Sequence, residues 1–382
     1  MRKPFRVGVV GANPKRGWAT AAHLPALKAM NDFELAAICT TRQETADETA
    51  GKFEVPQAYG SWQAMLAEAD IDIVAVCVKV AHHREIVAAA IEAGKHLFCE
   101  WPLGLTTAEA EVMRDAAEAR GVRHVVGLQG RASPALNEIR SLVAGGAVGE
   151  VISTTMISSL NVWGPRLPPS EAYRTQLESG TSGLTVSGGH SLDSLCYCLG
   201  EFRQVSGIVT TQHKKVEIVG TGEVLDVTTP DQVLVSGVLE GGAVASVHIK
   251  ADMASPTGVL FEINGTEGDI VAASRKPVGI APVGIQRADL TLQIARGRKQ
   301  EFVDAPVSEA YTQAPAVPEG PPFFTAQLYA RLSESLTNGT PALPDFSDAV
   351  RCHRLLDAIQ RASDTGETQT LWREPASGGV LG

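Results

Sequence analysis

The sequence predicts an α/β protein with a doubly wound parallel sheet at the amino terminus, followed by an α+β domain with a large, mostly antiparallel open sheet. Two observations support this prediction. Apolar strands and Ala-rich helices alternate through the first third of the chain, and long β-like runs dominate after about residue 130. A chain of 382 residues suits two domains. We expect their boundary between residues 1–128 and 129–382.

The amino-terminal part begins with an apolar run at residues 7–10, which leads into a glycine-containing turn and a helix. Further strand-like and helical runs then alternate, with strands at 33–39, 71–78, 96–100 and 124–129 and helices at 20–30, 42–53, 61–69, 83–94 and 107–121. A strand–helix–strand order places consecutive strands parallel, so we expect one parallel sheet with helices on both faces.

The remainder of the chain is dominated by longer β-like runs, at 148–160, 202–212, 231–251 and 258–274. The third of these contains Glu240-Gly241-Gly242, which predicts a hairpin turn. Residues 275–322 hold many prolines and little periodicity, and we expect a surface excursion with edge strands there. Residues 347–366 have apolar side chains at helical spacing and predict a final helix.

Composition excludes several classes of function. The net charge of −10 argues against nucleic acid or an anionic membrane as a partner. No apolar run reaches the ~18–20 residues of a membrane span, and no signal-peptide pattern precedes the first strand. The six cysteines lack zinc-type C-x-x-C spacing, so we expect buried free thiols, no metal and a cytoplasmic location.

The turn after the first strand has the features of a phosphate-binding loop. Glycine at the strand end lets the backbone approach a pyrophosphate, and the following helix presents free N–H groups to that anion. Lysine and arginine in the turn add positive charge. We therefore predict a dinucleotide site, formed here by Gly11, Asn13, Lys15, Arg16, Gly17 and Trp18.

The residues that follow the second strand bear on which dinucleotide is bound. A carboxylate at this point selects NAD, whereas a basic residue beside a hydroxyl accommodates the 2′-phosphate of NADP. Here the strand is followed by Thr41 and Arg42, with no carboxylate before Glu44. The sequence thus favours NADP over NAD, although Arg42 is also explained as a solvated residue that opens the next helix.

Several motifs together resemble the glucose–fructose oxidoreductase / inositol dehydrogenase / MocA (Gfo/Idh/MocA) family. They lie at residues 71–104, 130–134, 188–193 and 265–268 and in the carboxy-terminal helix from Pro344. Within that family the chain is most similar to the branch of the galactose-regulon repressor, through Gly17-Trp18, Val78-Lys79-Val80, Glu100-Trp101-Pro102, Leu128-Gln129-Gly130-Arg131 and the segment 163–180. The resemblance implies a Rossmann domain that binds NAD or NADP.

The resemblance also implies a catalytic lysine, aspartate and histidine. In this chain the lysine position holds Trp101 and the aspartate position holds Val186, so only His190 remains. We expect the amine of Lys79 to replace the lost lysine and His190 to act as general acid and base near neutral pH. Two alternatives stay open, in which Lys79 binds a cofactor phosphate and His190 braces its helix.

The resemblance places further residues near the two ligands. Cofactor contacts are expected from Val78, Lys79, His82, Glu100, Trp101 and Gln129, and substrate contacts from Arg131, Trp163, Tyr173, His190 and Asp193. We expect the Trp101 ring to stack on the nicotinamide, with filling of space as the alternative.

Two functions follow from these residues. The first is an NAD(P)-dependent oxidoreductase that acts on a sugar, sugar derivative or polyol by hydride transfer at a carbinol carbon, or that oxidises it transiently. The second is a nucleotide-binding regulator similar to the repressor branch. The resemblance also implies a homodimer or homotetramer.

Overall fold

The computed structural model describes residues 3–162, 164–274, 283–314 and 316–371. The amino-terminal part contains strands β1 (Phe5–Val10), β2 (Phe33–Cys39), β3 (Gln57–Tyr59), β4 (Ile73–Val76), β5 (His96–Cys99) and β6 (His124–Val126). The helices between them are α1 (Leu24–Ala29), α2 (Gln43–Phe53), α3 (Trp62–Glu68), α4 (His83–Glu92) and α5 (Thr107–Arg120).

The first sheet has the order β3-β2-β1-β4-β5-β6, and its strands pair in parallel. Apolar side chains alternate between its two faces. Val9, Ala75 and Phe98 pack in one apolar core, whereas Val10 and Val76 pack in another. This confirms the predicted doubly wound parallel sheet. The short edge strand β3 was not expected.

Within the described residues, the carboxy-terminal part contains four α-helices, α6 (Pro134–Ala144), α7 (Gly189–Leu199), α8 (Pro321–Asn338) and α9 (Phe346–Thr365). Its strands are β7 (Val151–Ser159), β8 (Arg166–Leu167), β9 (Phe202–Thr210), β10 (Lys215–Ile218), β11 (Val224–Asp226), β12 (Gln232–Leu239), β13 (Val244–Lys250), β14 (Gly258–Gly265), β15 (Gly268–Ser274), β16 (Leu290–Arg296), β17 (Val303–Asp304) and β18 (Gln369–Thr370).

Nine of these strands form a sheet in the order β17-β16-β15-β14-β7-β13-β12-β9-β18. Its neighbours pair antiparallel except for β13 and β7, which run parallel, so the prediction of a mostly antiparallel sheet is confirmed. The predicted hairpin joins β12 to β13. Strands β8, β10 and β11 form a separate small sheet.

Helix α8 returns from the second half of the chain to the first sheet. Its residues Leu328, Tyr329 and Leu332 are fully buried in the apolar core that contains Val9 and Phe98. This helix was not predicted, because it follows the proline-rich segment that was expected to lie on the surface. The domain boundary at residue 128 stays a proposal, since α8 ties the two halves together.

All six cysteines are free, five of them buried and Cys77 half-buried. Over the described ranges, no helix combines the length and the apolarity that crossing a bilayer requires. Nor does any group of three or more His, Cys, Asp or Glu side chains in those ranges suit a metal ion.

Candidate functional site

The glycine turn lies at the carboxyl end of β1, where it has two residues with positive φ. Gly11 has φ +100°, and a Cβ atom built there would lie 2.3 Å from the Cys77 carbonyl oxygen. Gly17 has φ +97°, with no atom within 4 Å of its ideal Cβ position. Glycine at position 11 thus permits close backbone packing, and glycine at position 17 leaves open space beside the turn.

The segment between these glycines is held by side chains from α2. The Thr49 hydroxyl donates to the Ala12 carbonyl over 2.8 Å, and Lys52 Nζ donates to the Pro14 carbonyl over 2.9 Å. The Asn13 side chain accepts from the Lys15 backbone N–H over 3.1 Å, so this asparagine stabilises its own loop. These contacts fix the turn and leave Lys15, Arg16 and Gly17 exposed.

Thr41 and Arg42 lie next to this turn, because β2 pairs with β1. Both residues are exposed, and Arg42 directly precedes α2. No ion pair of the Arg42 side chain occurs among the described residues. A hydroxyl and a guanidinium are therefore available to an anionic ligand at this edge of the sheet.

Lys79 and Tyr173 connect the first sheet to the carboxy-terminal domain. Lys79 is exposed after Val78, and its Nζ lies 4.1 Å from the centroid of the Tyr173 ring. Burial raises the pKa of Tyr173, and the charge of Arg16 acts on the same hydroxyl. His82 is exposed, and its Nδ1 lies 3.1 Å from Glu85 Oε1. The turn after β4 thus meets Tyr173 across the crevice.

Glu100 is part of a buried polar network that joins three parts of the chain. Gln129 Nε2 donates to both of its carboxylate oxygens, over 3.2 and 3.0 Å. His23 Nε2 lies 2.8 Å from Glu100 Oε1, and His23 Nδ1 lies 2.9 Å from the Tyr329 hydroxyl. Glu100 and Gln129 were predicted as site residues, whereas His23 and Tyr329 were not. These contacts brace the end of β5 against α8.

Trp101 packs between the two domains, with 6% of its surface exposed. Its Nε1 donates to the Thr185 carbonyl over 2.8 Å, and its ring centroid lies 4.7 Å from that of His353. A Cβ atom at Gly189 would lie within 2.8 Å of three indole atoms. The ring is enclosed by protein, which favours the space-filling role over stacking on a nicotinamide.

His190 lies one residue after this contact, near the start of α7, and is 7% exposed. Burial and the positive charge of Arg287 lower the pKa of His190 to about 3. The predicted role of His190 as general acid and base near neutral pH stays a prediction, since this lowered pKa applies to the free protein. At neutral pH His190 is uncharged, and its ability to accept a proton depends on what binds beside it.

Arg287 lies between His190 and the glycine turn. It ends the short helical turn Ile285–Arg287, and its guanidinium carbon is 5.6 Å from the centroid of the Trp18 ring. Sequence reasoning missed this residue, because it lies in a segment without periodicity. The structure thus brings Trp18, Arg287 and His190 together.

Arg131 and Asp193 were predicted to contact substrate, and in the structure they are paired with each other. Arg131 Nε donates to both oxygens of Asp193 over 3.0 Å, and Nη1 donates to Asp348 over 2.7 Å. The side chains of Asp193 and Asp348 are 2% and 1% exposed. Their charges are matched by Arg131, so this cluster stabilises the packing of α7 on α9. Trp163, another predicted substrate residue, lies outside the described residues.

Comparison with known proteins supports the family inferred from the motifs. Residues 5–128 match the family model described as oxidoreductase family, NAD-binding Rossmann fold, and residues 134–274 match that of the Gal80p C-terminal domain. The galactose/lactose metabolism regulatory protein GAL80 of Saccharomyces cerevisiae is 26% identical over 418 aligned residues, which cover 96% of this chain and 94% of that protein.

Sugar dehydrogenases are similar to this chain as well. Levoglucosan dehydrogenase of Pseudarthrobacter phenanthrenivorans is 30% identical over 290 residues, which cover 70% of this chain and 73% of that enzyme. A solved levoglucosan dehydrogenase in complex with NADH and levoglucosan has a TM-score of 0.83 at 25% identity, with 96% of this chain and 99% of that chain covered. The chain belongs to the Gfo/Idh/MocA oxidoreductase family with its NAD-binding Rossmann fold.

Proposed function

We propose that this protein is an NAD(P)-dependent dehydrogenase that acts on a hydroxyl group of a sugar, sugar derivative or polyol. The observation that supports this most is the position of His190. Arg287 contacts the Trp18 ring at the glycine turn and is close enough to His190 to lower its pKa. This supports a role for His190 as proton acceptor at the predicted nucleotide-binding end of the first sheet.

The glycine turn fits a dinucleotide. Gly11 can only be glycine at its close approach to Cys77, and the free space at Gly17 leaves backbone N–H groups accessible. Gly11, Gly17, Lys15 and Arg16 would hold the pyrophosphate. A bound nicotinamide dinucleotide supplies the hydride acceptor for the oxidation of an alcohol.

Thr41 and Arg42 support a preference for NADP, since both are exposed where the adenosine ribose of a dinucleotide lies in this fold. A related structure binds NADH, so the preference needs a direct test. We expect NADPH to quench tryptophan fluorescence at a lower concentration than NADH, and Arg42→Ala to reduce this difference. Tighter binding of NADH to the unchanged protein would contradict the preference.

Oxidation of a carbinol carbon releases a hydride from carbon and a proton from the hydroxyl oxygen. Trp101 and Val186 stand where the family resemblance implies lysine and aspartate, and neither can take this proton. We assign the role of acceptor to the neutral imidazole of His190. Lys79, held over the Tyr173 ring, donates a hydrogen bond to the substrate or to a cofactor phosphate.

The dehydrogenase proposal is tested by hydride transfer. Purified protein is mixed with NAD or NADP and a panel of sugars, sugar acids and polyols, and formation of reduced nicotinamide is followed by absorbance. Transient oxidation returns the same hydride to the substrate, so it is detected as a deuterium isotope effect on conversion of a carbinol-deuterated substrate without net reduction of the nucleotide. His190→Asn should lose transfer and retain nucleotide binding, whereas the exposed Arg361→Ala should retain both. Nucleotide binding without transfer from any compound would refute the proposal.

A nucleotide-binding regulator is the second candidate. The replacement of two polar catalytic positions by Trp101 and Val186 favours it, and so does the alignment of GAL80 with 96% of this chain. The expected result for a regulator is nucleotide binding without hydride or deuterium transfer, together with binding of a transcription factor whose affinity changes with NADP(H).

Self-association also remains a proposal. The side of the nine-stranded sheet away from α9 carries exposed apolar side chains at neighbouring strand positions, among them Ile152, Ile208, Leu234 and Val244. Exposed apolar groups on a broad sheet favour contact with a second copy, which would give the expected dimer or tetramer.

A further inference from the structure

Three side-chain nitrogens near the crevice are buried without hydrogen-bond partners in the part of the chain that the structure describes. They are Trp18 Nε1, His190 Nδ1 and Arg287 Nε. Their side chains are neighbours, since the Arg287 guanidinium faces the Trp18 ring and its charge acts on His190. Buried polar atoms are almost always satisfied in folded proteins. Three unsatisfied nitrogens in one place therefore indicate the position of a ligand.

Among the described residues, the half-buried guanidinium of Arg287 has no ion-pair partner. No carboxylate of the described residues lies within 4.0 Å of its guanidinium nitrogens, and burial lowers its pKa. Arg131 shows the contrast, because that buried guanidinium is paired with both Asp193 and Asp348. A buried cation without a counter-charge is costly unless an anion binds to it.

There is room for a ligand beside this guanidinium. Arg287 lines a cavity of about 440 Å³, whose wall includes Pro134 and Phe323 but neither Trp18 nor His190, so a ligand there would contact the guanidinium and reach His190 only through its charge. Two carboxylates, Asp289 and Glu319, lie on the same wall, both more than 4.0 Å from the guanidinium nitrogens. A volume of this size is typical of sites for small molecules.

We infer that Arg287 binds an anionic group of the substrate, a carboxylate or a phosphate, next to His190. This inference rests on the proposed function and narrows its substrate to sugar acids or sugar phosphates. A guanidinium matches both groups, because its N–H donors form paired hydrogen bonds with their oxygens. The cofactor pyrophosphate is the other source of such an anion, but the glycine turn and its exposed basic residues already provide for it.

Binding of an anion to Arg287 also has a consequence for proton transfer. The positive charge of Arg287 opposes protonation of His190 in the free protein. A substrate carboxylate or phosphate offsets this charge, so the imidazole becomes a better proton acceptor when the correct substrate is bound. Recognition of the anionic group and activation of His190 are thereby coupled through one side chain.

The inference is tested by calorimetric binding of matched compounds in the presence of NADH or NADPH. D-glucuronate and glucose 6-phosphate are compared with D-glucose, and D-galacturonate with D-galactose. We expect at least one anionic compound to bind about tenfold or more tightly than its neutral partner. Arg287→Gln should remove this difference and leave the affinity for the neutral sugar within about twofold. Arg287→Lys should retain part of the preference for the anionic compound, and Arg361→Ala should retain the whole preference.

The outcomes separate this inference from the proposed function. Equal binding of neutral and anionic compounds by the unchanged protein overturns the inference, even if neutral sugars are oxidised. A loss of NADH affinity in Arg287→Gln with the anion preference intact also overturns it, since Arg287 then serves the cofactor. An anion preference that depends on Arg287, without hydride transfer, supports the inference and refutes the dehydrogenase.

Discussion

The contact between Trp101 and Gly189 provides a quantitative test of how the two domains pack. A Cβ atom at Gly189 would lie 2.5 Å from indole Nε1, 2.7 Å from Cζ2 and 2.8 Å from Cε2. The indole has little freedom to move, because Nε1 is bonded to the Thr185 carbonyl and the His353 ring packs against it. Gly189→Ala therefore forces a methyl group against a fixed ring.

The expected change in the free energy of unfolding of Gly189→Ala is the sum of two opposing contributions. Gly189 has helical backbone angles, φ −56° and ψ −50°, so alanine suits the conformation and would stabilise an unobstructed helix by about 0.5–1 kcal/mol. Overpacking of a filled core costs about 1–3 kcal/mol. We expect the clash to prevail, so that Gly189→Ala lowers the free energy of unfolding. Trp101→Phe removes the three contacted atoms, and in that background Gly189→Ala should be neutral or stabilising.

The assay is urea unfolding of the unchanged protein, the two single variants and the double variant. The expected coupling energy between the two positions is about 1–3 kcal/mol. Gly51 in α2 provides the control, because its ideal Cβ position has no atom within 4 Å, so Gly51→Ala should have the same effect in both backgrounds. A coupling energy below about 0.5 kcal/mol for Gly189→Ala would refute the packing argument.

Three further predictions concern the buried charges and the glycine turn. Arg131→Ala should lower the free energy of unfolding by about 3–5 kcal/mol in urea titrations, because it leaves the buried Asp193 carboxylate unpaired while Asp348 keeps Arg351, whereas a loss below about 1 kcal/mol would contradict that role. Burial lowers the pKa values of His124, His190 and His353 to about 4, 3 and 4, so the unfolded chain protonates these histidines more readily than the folded chain does. The free energy of unfolding should therefore be highest above about pH 6.5 and fall toward pH 4, with each of the three imidazoles lowering it by about 2 kcal/mol at pH 5. A free energy of unfolding that does not change over this range would contradict burial of the neutral imidazoles. Gly11→Ala should abolish NADH and NADPH binding in fluorescence titrations while Gly17→Ala weakens it less, and equal losses would show that the close contact at Cys77 is unimportant.

The sequence was most informative where strands are buried on both faces. Apolar runs such as β1 and β4 have few alternatives to a central parallel strand, so the parallel sheet could be predicted from the chain alone. The edge strand β3 has three half-buried residues and no apolar run. Helix α8 begins at Pro321 after a proline-rich segment, and its apolar face is explained only by the distant first sheet that it covers. Such elements depend on tertiary contacts that local patterns do not encode.

The candidate site was predicted less completely than the fold. The glycine turn and His190 could be proposed from the sequence because their motifs are local. Arg131 has the residue type of a substrate ligand, but its partner Asp348 lies 217 residues away, and that pairing is invisible in the sequence. Arg287 was missed for the same reason, since its importance arises from contacts with Trp18 and His190 that only the folded chain creates.

Trp101, at the position where the family resemblance implies a lysine, is packed tightly between the two domains. The indole takes the space that a side chain at Gly189 would need, and it satisfies the carbonyl of Thr185, the residue before Val186. An apolar residue at position 186 fits this surrounding, whereas a carboxylate there would have lost its lysine partner and remained unpaired. Apolar side chains at both positions are thus compatible with this packing, and under the proposed function proton transfer relies on His190 and the charge of Arg287.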